Sequence, residues 1–128
     1  MADSFQSLLA LARDAHRTGD ASAALDLYHR AAAASSDPAD LAHCLRHVGD
    51  LARQAGDREA AREALDRAEY LYRETVSDPL SLANTMRLRA LLDGSTGRWR
   101  EARQLYEAAA TDGCDLADAL DECDRHLA

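Results

Sequence analysis

The sequence predicts an all-α fold of three helical hairpins followed by a closing helix. Three observations lead to this prediction: the composition, an internal repeat, and turn residues between the repeats. The apolar residues are mainly Ala and Leu, which are good helix formers, whereas Ile is absent and Val occurs only at Val48 and Val76. With 128 residues, 47% of them apolar, the chain can bury one core, so we expect a single domain over residues 1–128.

The chain repeats itself at a spacing of about forty residues. The tripeptide Ser36-Asp37-Pro38 recurs 41 positions later as Ser77-Asp78-Pro79, and Gly56 recurs 41 positions later as Gly97. Gly19, which lies 37 positions before Gly56, marks a further copy. Repeats of this length are typical of helical units that stack on one another.

Small and large residues follow each glycine at steps of three and four, which place them on one stripe of a helix. The stripes are Ala24, Leu27, Tyr28 and Ala31, then Ala61, Ala64, Leu65 and Ala68, then Ala102, Leu105, Tyr106 and Ala109. Such a stripe lets a neighbouring helix approach closely at Ala and interlock around Tyr or Leu.

The turn residues predict where the helices begin and end. In each Ser-Asp-Pro the Asp can cap the next helix while Pro takes its first position, and each repeat glycine can end the preceding helix in the left-handed conformation. We expect repeats at about 4–34, 38–75 and 79–110 and a capping helix at about 115–127. The seven helices are expected at about 4–18, 20–34, 38–55, 57–75, 79–93, 98–110 and 115–127, the fourth about one turn longer than the second.

The last predicted helix is amphipathic and strongly acidic. Its apolar face consists of Leu116, Ala119, Leu120, Cys123 and Leu127. Residues 112–128 hold six acids against Arg125, whereas the rest of the chain is close to charge balance. An apolar face toward the last hairpin and a polar face toward water are what a capping helix requires.

This pattern resembles the tetratricopeptide repeat family, in which two antiparallel helices per repeat stack into a right-handed superhelix (an α-α solenoid). The resemblance covers residues 4–110, with spacings longer than the family's usual value of about 34, as in its longer-helix variants. Besides the glycines and stripes, it rests on Leu8, Leu11, Ala12 and Ala15, on Leu45, Val48, Gly49 and Ala52, and on Met86, Ala90 and Trp99.

The third repeat departs from the family pattern at two positions. Arg89 and Asp93 stand where the family has apolar or aromatic residues. We therefore expect the fifth helix to be rotated or to end early, with residues 93–97 forming a longer turn.

The resemblance implies a non-enzymatic protein-interaction scaffold that binds a partner protein or peptide in a concave groove lined by the first helix of each repeat. The groove residues that it implies are Arg13, Arg17, His43, Arg46, Asp50, Arg53, Asn84 and Arg87, with Gln6, Leu9, His16, His47, Gln54, Leu88 and Leu91 beside them. We call its five arginines (Arg13, Arg17, Arg46, Arg53 and Arg87) the arginine wall.

The arginine wall is a candidate site for an acidic segment, because guanidinium pairs with carboxylate through two hydrogen bonds. An alternative remains open, in which these arginines are solvated or paired with Asp14, Asp50 and Asp57 along their own helices.

Self-association is a second alternative, so the chain could be a monomer or a homodimer. The acidic last helix of one copy could enter the groove of another copy, or fold back over its own groove. Tyr70 lies off the apolar stripe of the fourth helix and could anchor a dimer contact.

Other functional classes find little support in the residues. His43 and His47 are one helical turn apart and could chelate a metal, but Cys44 points about 100° away and no third ligand follows, so we expect no metal site. No phosphate-binding loop or nucleophile elbow is present, so we expect no enzyme and no cofactor.

Charge and hydropathy indicate the environment of the protein. A net charge of −8 argues against nucleic acid binding. No apolar run reaches the roughly 18 residues of a membrane span, and the first residues do not resemble a signal peptide. Three unclustered cysteines favour a reduced cytoplasmic protein, and the Arg-only, Ala-rich composition resembles that of a bacterial protein.

Overall fold

A computed structural model describes residues 4–110 and 115–128, and all the regular structure in these two stretches is α-helical. The helices are α1 (Phe5–Arg17), α2 (Ala21–Ala34), α3 (Pro38–Gln54), α4 (Arg58–Glu74), α5 (Pro79–Asp93), α6 (Thr96–Ala110) and α7 (Ala117–Leu127). The predicted all-α class is therefore confirmed. Residues 112–114 of the predicted acidic tail, including Asp112 and Cys114, lie outside the described residues. None of the helices in the described part is long and apolar enough to cross a membrane.

The helix starts follow from the turn residues, as predicted. The Asp37 carboxylate accepts a hydrogen bond from the Ala39 backbone N–H at 2.8 Å, and the Asp78 carboxylate accepts one from the Ser81 N–H at 3.1 Å. Each aspartate thereby satisfies a backbone donor that has no partner inside its helix. α4 has 17 residues and α2 has 14, so α4 is the longer of the two, as predicted.

The turn between α5 and α6 differs from the prediction. Gly97, which the repeat aligns with the turn glycines, lies in the first turn of α6, and Gly94 ends α5 with a φ of 71°. The Asp93 carboxylate accepts from the Ser95 N–H at 3.0 Å, and the Ser95 hydroxyl accepts from the Arg98 N–H at 3.3 Å. The expected longer turn over residues 93–97 is wrong, because these local hydrogen bonds start α6 earlier.

Each helix packs against the next one along the chain, and α3 also packs against α5. The alanines and large residues of the predicted stripes form much of the core. Its buried members are Ala24, Tyr28 and Ala31, then Ala61, Ala64, Leu65 and Ala68, then Ala102, Tyr106 and Ala109. The closest approach is at Gly49 of α3, where an added Cβ would lie 2.5 Å from Cγ and Cδ2 of Leu65 in α4. Glycine at this position lets the two helices pack closely.

Arg89, one of the two departures from the repeat, lies at the contact between α4 and α5. Its side chain is 13% exposed and forms ion pairs with Asp66 and Glu69 of α4, the latter at 3.1 Å. Charged side chains thus replace an apolar contact between these helices, and the burial of the guanidinium is compensated by two carboxylates.

The apolar face predicted for the last helix packs on the core. Cys123 is fully buried in the cluster that includes Trp99 and Tyr106 of α6. The remaining members of that face, Leu116, Ala119, Leu120 and Leu127, pack against the same cluster. His126 stacks on the Trp99 ring with a centroid distance of 4.0 Å and an interplanar angle of 8°. α7 therefore packs on α6, and two of its acids, Glu122 and Asp124, reach arginines of α5 and α6.

Candidate partner-binding surface

The eight predicted groove residues lie on three helices that the packing brings close to one another. α1 carries Arg13 and Arg17, α3 carries His43, Arg46, Asp50 and Arg53, and α5 carries Asn84 and Arg87. The His16 and His47 rings, 6.0 Å apart, connect α1 with α3, while α3 packs directly against α5. α3 is thus the middle helix of the arginine wall.

Two arginines of the wall are paired with acids of their own helices. Arg17 is exposed and forms an ion pair with Asp14. Arg53 donates a hydrogen bond to Asp50 at 2.8 Å, and both side chains are about three-quarters buried. For these two arginines the alternative of pairing within a helix applies, so their charge is already neutralised.

Arg87 is paired with an acid from another helix. Its Nε and Nη2 donate to the two carboxylate oxygens of Glu122 in α7, the second bond at 3.0 Å. Because Arg87 donates these bonds, the pKa of the Glu122 carboxyl is lowered. In the same way Arg103 of α6 donates to Asp124 of α7 at 2.6 Å. At this end of the wall the acidic helix therefore neutralises the cations of its own chain.

Arg13 and Arg46 differ from the other members of the wall, because neither has a carboxylate within ion-pair distance among the described residues. Arg46 Nη2 lies 3.4 Å from His43 Nδ1. The Nε atoms of Arg46 and Arg53 are buried and lack a hydrogen-bond partner in the part of the chain that the structure describes. The wall thus retains cationic groups and N–H donors that nothing within these residues satisfies.

Beside Arg13, three histidines and a tyrosine form an aromatic cluster. The His47 ring stacks on Tyr28 at 4.6 Å with an interplanar angle of 6°, and His43 packs edge-on against His47 at 4.6 Å. An open pocket of about 360 Å³ lies against this cluster. We call it the histidine pocket, and it is lined by Arg13, His16, Arg17, Tyr28, His43 and His47.

His43 and His47 of this cluster are held in the neutral form. The pKa of His47 is lowered to about 3, by burial first and then by His43, Arg46 and His16, while Asp50 opposes them. Burial, followed by the charges of Arg46 and Arg13, lowers the pKa of His43 against the opposing effect of Asp40. The pocket wall therefore combines permanent guanidinium charges with the imidazoles of His43 and His47, which are neutral at pH 7.

Asn84 contacts a buried tyrosine. The Tyr106 hydroxyl donates to Asn84 Oδ1 at 2.6 Å, and burial raises the pKa of Tyr106 to about 12, so the hydroxyl remains a donor. The charge of Arg46 acts on the pKa of both Tyr28 and Tyr106, in each case lowering it against the larger effect of burial.

Two leucines that the sequence analysis places beside the groove lie in the core instead. Leu9 is 7% exposed and packs with Ala12 and Tyr28, and Leu88 is 4% exposed and packs with Leu65. Their burial removes apolar area from water, which a place in the open groove would not achieve.

The described residues contain no group of three or more His, Cys, Asp or Glu side chains arranged to hold a metal ion. Cys44, which the sequence analysis places away from His43 and His47, is buried in the core. Burial also raises the pKa of its thiol to about 11, so the thiol stays protonated.

The arginines of the wall could be identified from the sequence, but most of the side chains that contact the wall and its histidines could not. Tyr28 was expected only as a core residue, yet it is also the stacking partner of His47. Glu122 forms two hydrogen bonds with Arg87, a contact of the kind that the fold-back alternative describes, although the sequence did not single out this residue. The spacing of His43 and His47 was the one signal for the aromatic cluster, and the family pattern contained none for Glu122.

Comparisons with family models, with curated proteins and with solved structures found no match to this chain.

Proposed function

We propose that the chain is a non-enzymatic, cytoplasmic protein-interaction scaffold of the tetratricopeptide type. In this proposal the pairs α1–α2, α3–α4 and α5–α6 are antiparallel hairpins stacked as a right-handed superhelix, closed by α7. The short turns within the pairs, the buried Ala and Tyr or Leu stripes and the close approach at Gly49 support it. The concave face would then be lined by α1, α3 and α5.

The proposed ligand is an acidic segment of a partner protein, bound at the arginine wall. The observation that carries this proposal is the pairing of the five arginines. Arg17, Arg53 and Arg87 each hold a carboxylate, whereas Arg13 and Arg46 hold none among the described residues. A carboxylate from a partner would supply the acceptors that these two guanidiniums lack.

The pair of Arg87 and Glu122 supports the proposal because it shows the same chemistry within the chain. One arginine of the wall binds a carboxylate through two hydrogen bonds in a half-buried setting. Arg46 has no carboxylate partner in the described residues, and a partner's acidic side chain would pair with its terminal N–H groups because its Nε is buried. Two-bond recognition of this kind favours carboxylates over neutral side chains.

The test measures, by fluorescence anisotropy, the binding of the full chain to a library of labelled acidic and neutral peptides. We expect acidic peptides to bind, and we expect Arg13→Ala and Arg46→Ala each to weaken their binding about tenfold, the effect of losing one charge-assisted hydrogen bond. Arg53→Ala should weaken binding less, because Arg53 is already paired with Asp50. Arg100→Ala, which removes an exposed arginine of α6 outside the wall, is the matched control.

Circular dichroism and thermal unfolding must show that each variant is folded. If no acidic peptide binds, or if the wall variants bind like the Arg100 variant, the proposed function is wrong.

A homo-oligomeric module is the second candidate function, and the exposure of Tyr70 favours it. This side chain is 65% exposed and lines a shallow apolar pocket with Leu41 and Leu71. Entry of the acidic helix into the groove of a second copy has less support, since Glu122 and Asp124 already pair with arginines of their own chain. Sedimentation velocity over a range of concentrations decides between monomer and dimer.

A further inference from the structure

The histidine pocket has a lining that suits an anion with several acceptor atoms. All six of its lining side chains carry N–H or O–H groups, and none of the six is a carboxylate. Three acids lie near the lining: Asp14 pairs with Arg17, Asp50 pairs with Arg53, and Asp40 acts electrostatically on His43. The lining therefore carries more N–H and O–H donors than the described residues supply with acceptors.

His43 provides a donor that lacks an acceptor. Arginine has donors only, so the contact at 3.4 Å between Arg46 Nη2 and His43 Nδ1 requires Nδ1 to accept. A neutral imidazole then carries its proton on Nε2. This Nε2 atom is buried and has no hydrogen-bond partner among the described residues. An unpaired buried N–H is costly, and a turn of the His43 ring, which lines the pocket, would bring this atom to a ligand that supplies the acceptor.

His47 is positioned to respond to such a ligand. It faces His16 and Arg13 from α1, Tyr28 from α2, and His43, Arg46 and Asp50 from α3. Only Asp50 in this set favours the charged imidazole, and Arg53 shares that carboxylate. A doubly charged anion in the pocket would reverse this balance and favour proton uptake by the histidines.

We propose that the histidine pocket binds the phosphate of a phosphorylated side chain in the partner segment, an inference that rests on the proposed function and specifies its ligand. A phosphomonoester has three terminal oxygens and about two negative charges at pH 7, whereas a carboxylate has two oxygens and one charge. Arg13 supplies a two-bond contact, His43 Nε2 supplies a further donor, and His16 and His47 add their ring nitrogens to the lining. A single carboxylate would leave part of this donor set unsatisfied.

The test compares peptides with one central position occupied by phosphoserine, glutamate or serine, measured by isothermal titration calorimetry with the full chain. Inorganic phosphate and sulfate alone are the small-anion probes. We expect the phosphoserine peptides to bind about tenfold more tightly than the glutamate peptides, because additional charge-assisted hydrogen bonds form.

Two variants assign this preference to the pocket. His43→Phe keeps the ring that packs against His47 but removes the Nε2 donor, and it should abolish most of the preference for phosphoserine over glutamate. Arg13→Gln should do the same at an exposed position where a substitution does not threaten folding. Arg100→Gln, outside the pocket, should leave the preference unchanged.

The pH dependence provides an independent readout. Sulfate keeps two charges between pH 8 and pH 6, so its own protonation does not contribute. Because anion binding favours the charged histidines, sulfate affinity should rise as the pH falls, and calorimetry in buffers of different ionisation enthalpy should show proton uptake. His43→Phe should reduce this uptake.

The outcomes separate this inference from the proposed function. If glutamate and phosphoserine peptides bind equally and both depend on Arg46, the proposed function stands and the phosphate site is overturned. If His43→Phe and Arg13→Gln leave the phosphoserine preference intact, the site is also overturned. If sulfate and phosphate bind in an Arg13-dependent way but no peptide binds, the anion pocket stands and the proposed function fails.

Discussion

The two ends of the arginine wall differ in what compensates their positive charge. At the α5 end Arg87 is held by Glu122 of α7, and Asn84 is held by Tyr106. At the α1 end Arg13 has no carboxylate within the described residues, and the imidazoles of His43 and His47 are neutral. Acids of the last helix can therefore neutralise the arginine at one end of the wall. The other end is left with donors that a second molecule could use.

The largest expected effect comes from disturbing α3, the helix that belongs to both ends. In the Gly49→Ala variant the new methyl group would lie 2.5 Å from two atoms of the fully buried Leu65. We expect the free energy of unfolding to fall by roughly 2 to 3 kcal/mol, measured by urea denaturation, because overpacking forces the two helices apart. Both ends of the wall should then lose peptide binding together.

Gly97→Ala is the matched control for this substitution. Gly97 lies in α6, where an added Cβ would meet only Ser95 Oγ at 3.6 Å. We expect stability to be unchanged or higher by up to about 1 kcal/mol, since alanine favours the helix. A loss as large as that of the Gly49 variant would contradict both the packing at Gly49 and the placement of Gly97 inside α6.

The next effect concerns the histidine pocket near the α1 end, where the protonation of His47 makes the free energy of unfolding depend on pH. Its pKa of about 3 lies below the ordinary value of 6.5, so the unfolded chain binds a proton more readily than the folded chain. The stabilising contribution of neutral His47 is present above pH 6.5 and is lost progressively as the pH falls toward 3. Between pH 7.5 and 5 the loss should be about 2 kcal/mol.

The comparison of His47→Phe with the wild type measures this contribution. Phenylalanine keeps the ring stacked on Tyr28 but cannot titrate, so stability should depend less on pH in that range. His29→Phe changes an exposed histidine of α2 and should show the wild-type dependence. Parallel pH profiles for the wild type and the His47 variant would refute a buried neutral His47.

The smallest expected effect comes from removing the ion pair between Arg87 and Glu122 at the α5 end of the wall. In Glu122→Gln the two-bond ion pair with Arg87 is lost, and because both side chains are partly solvated the destabilisation should be about 1 kcal/mol. The freed Arg87 would then be available to a partner, so the affinity for acidic peptides should rise about threefold, as expected for one exposed ion pair. The pKa of Glu122 is lowered, so the wild type alone should lose this contribution as the pH falls below 4.5.

Asp121→Asn, which removes an exposed acid of the same helix, separates the specific pair from the general charge of α7. If both variants raise the peptide affinity equally, the effect is one of net charge, and the difference between the two ends is smaller than the structure indicates.

The helices themselves could be predicted closely from the sequence. Asp37 and Asp78 with their prolines indicate two helix starts, and the Ala and Tyr or Leu stripes indicate the buried faces, because capping and helical periodicity depend on residues three or four positions apart. The error at Gly97 has the same local origin. The repeat favoured Gly97 as the turn glycine, but Gly94 and the Ser95 hydrogen bonds lie earlier in the chain.

By itself the sequence determined the all-α class, the order of the helices, the apolar faces and the presence of arginines on α1, α3 and α5. Only the tertiary structure decided which of those arginines are neutralised. Arg87 pairs with Glu122, 35 positions away, whereas Arg13 and Arg46 find no carboxylate among the described residues. The physical reason is distance along the chain. Capping and periodicity act within one or two helical turns, but the pairing of a surface charge depends on where distant helices pack.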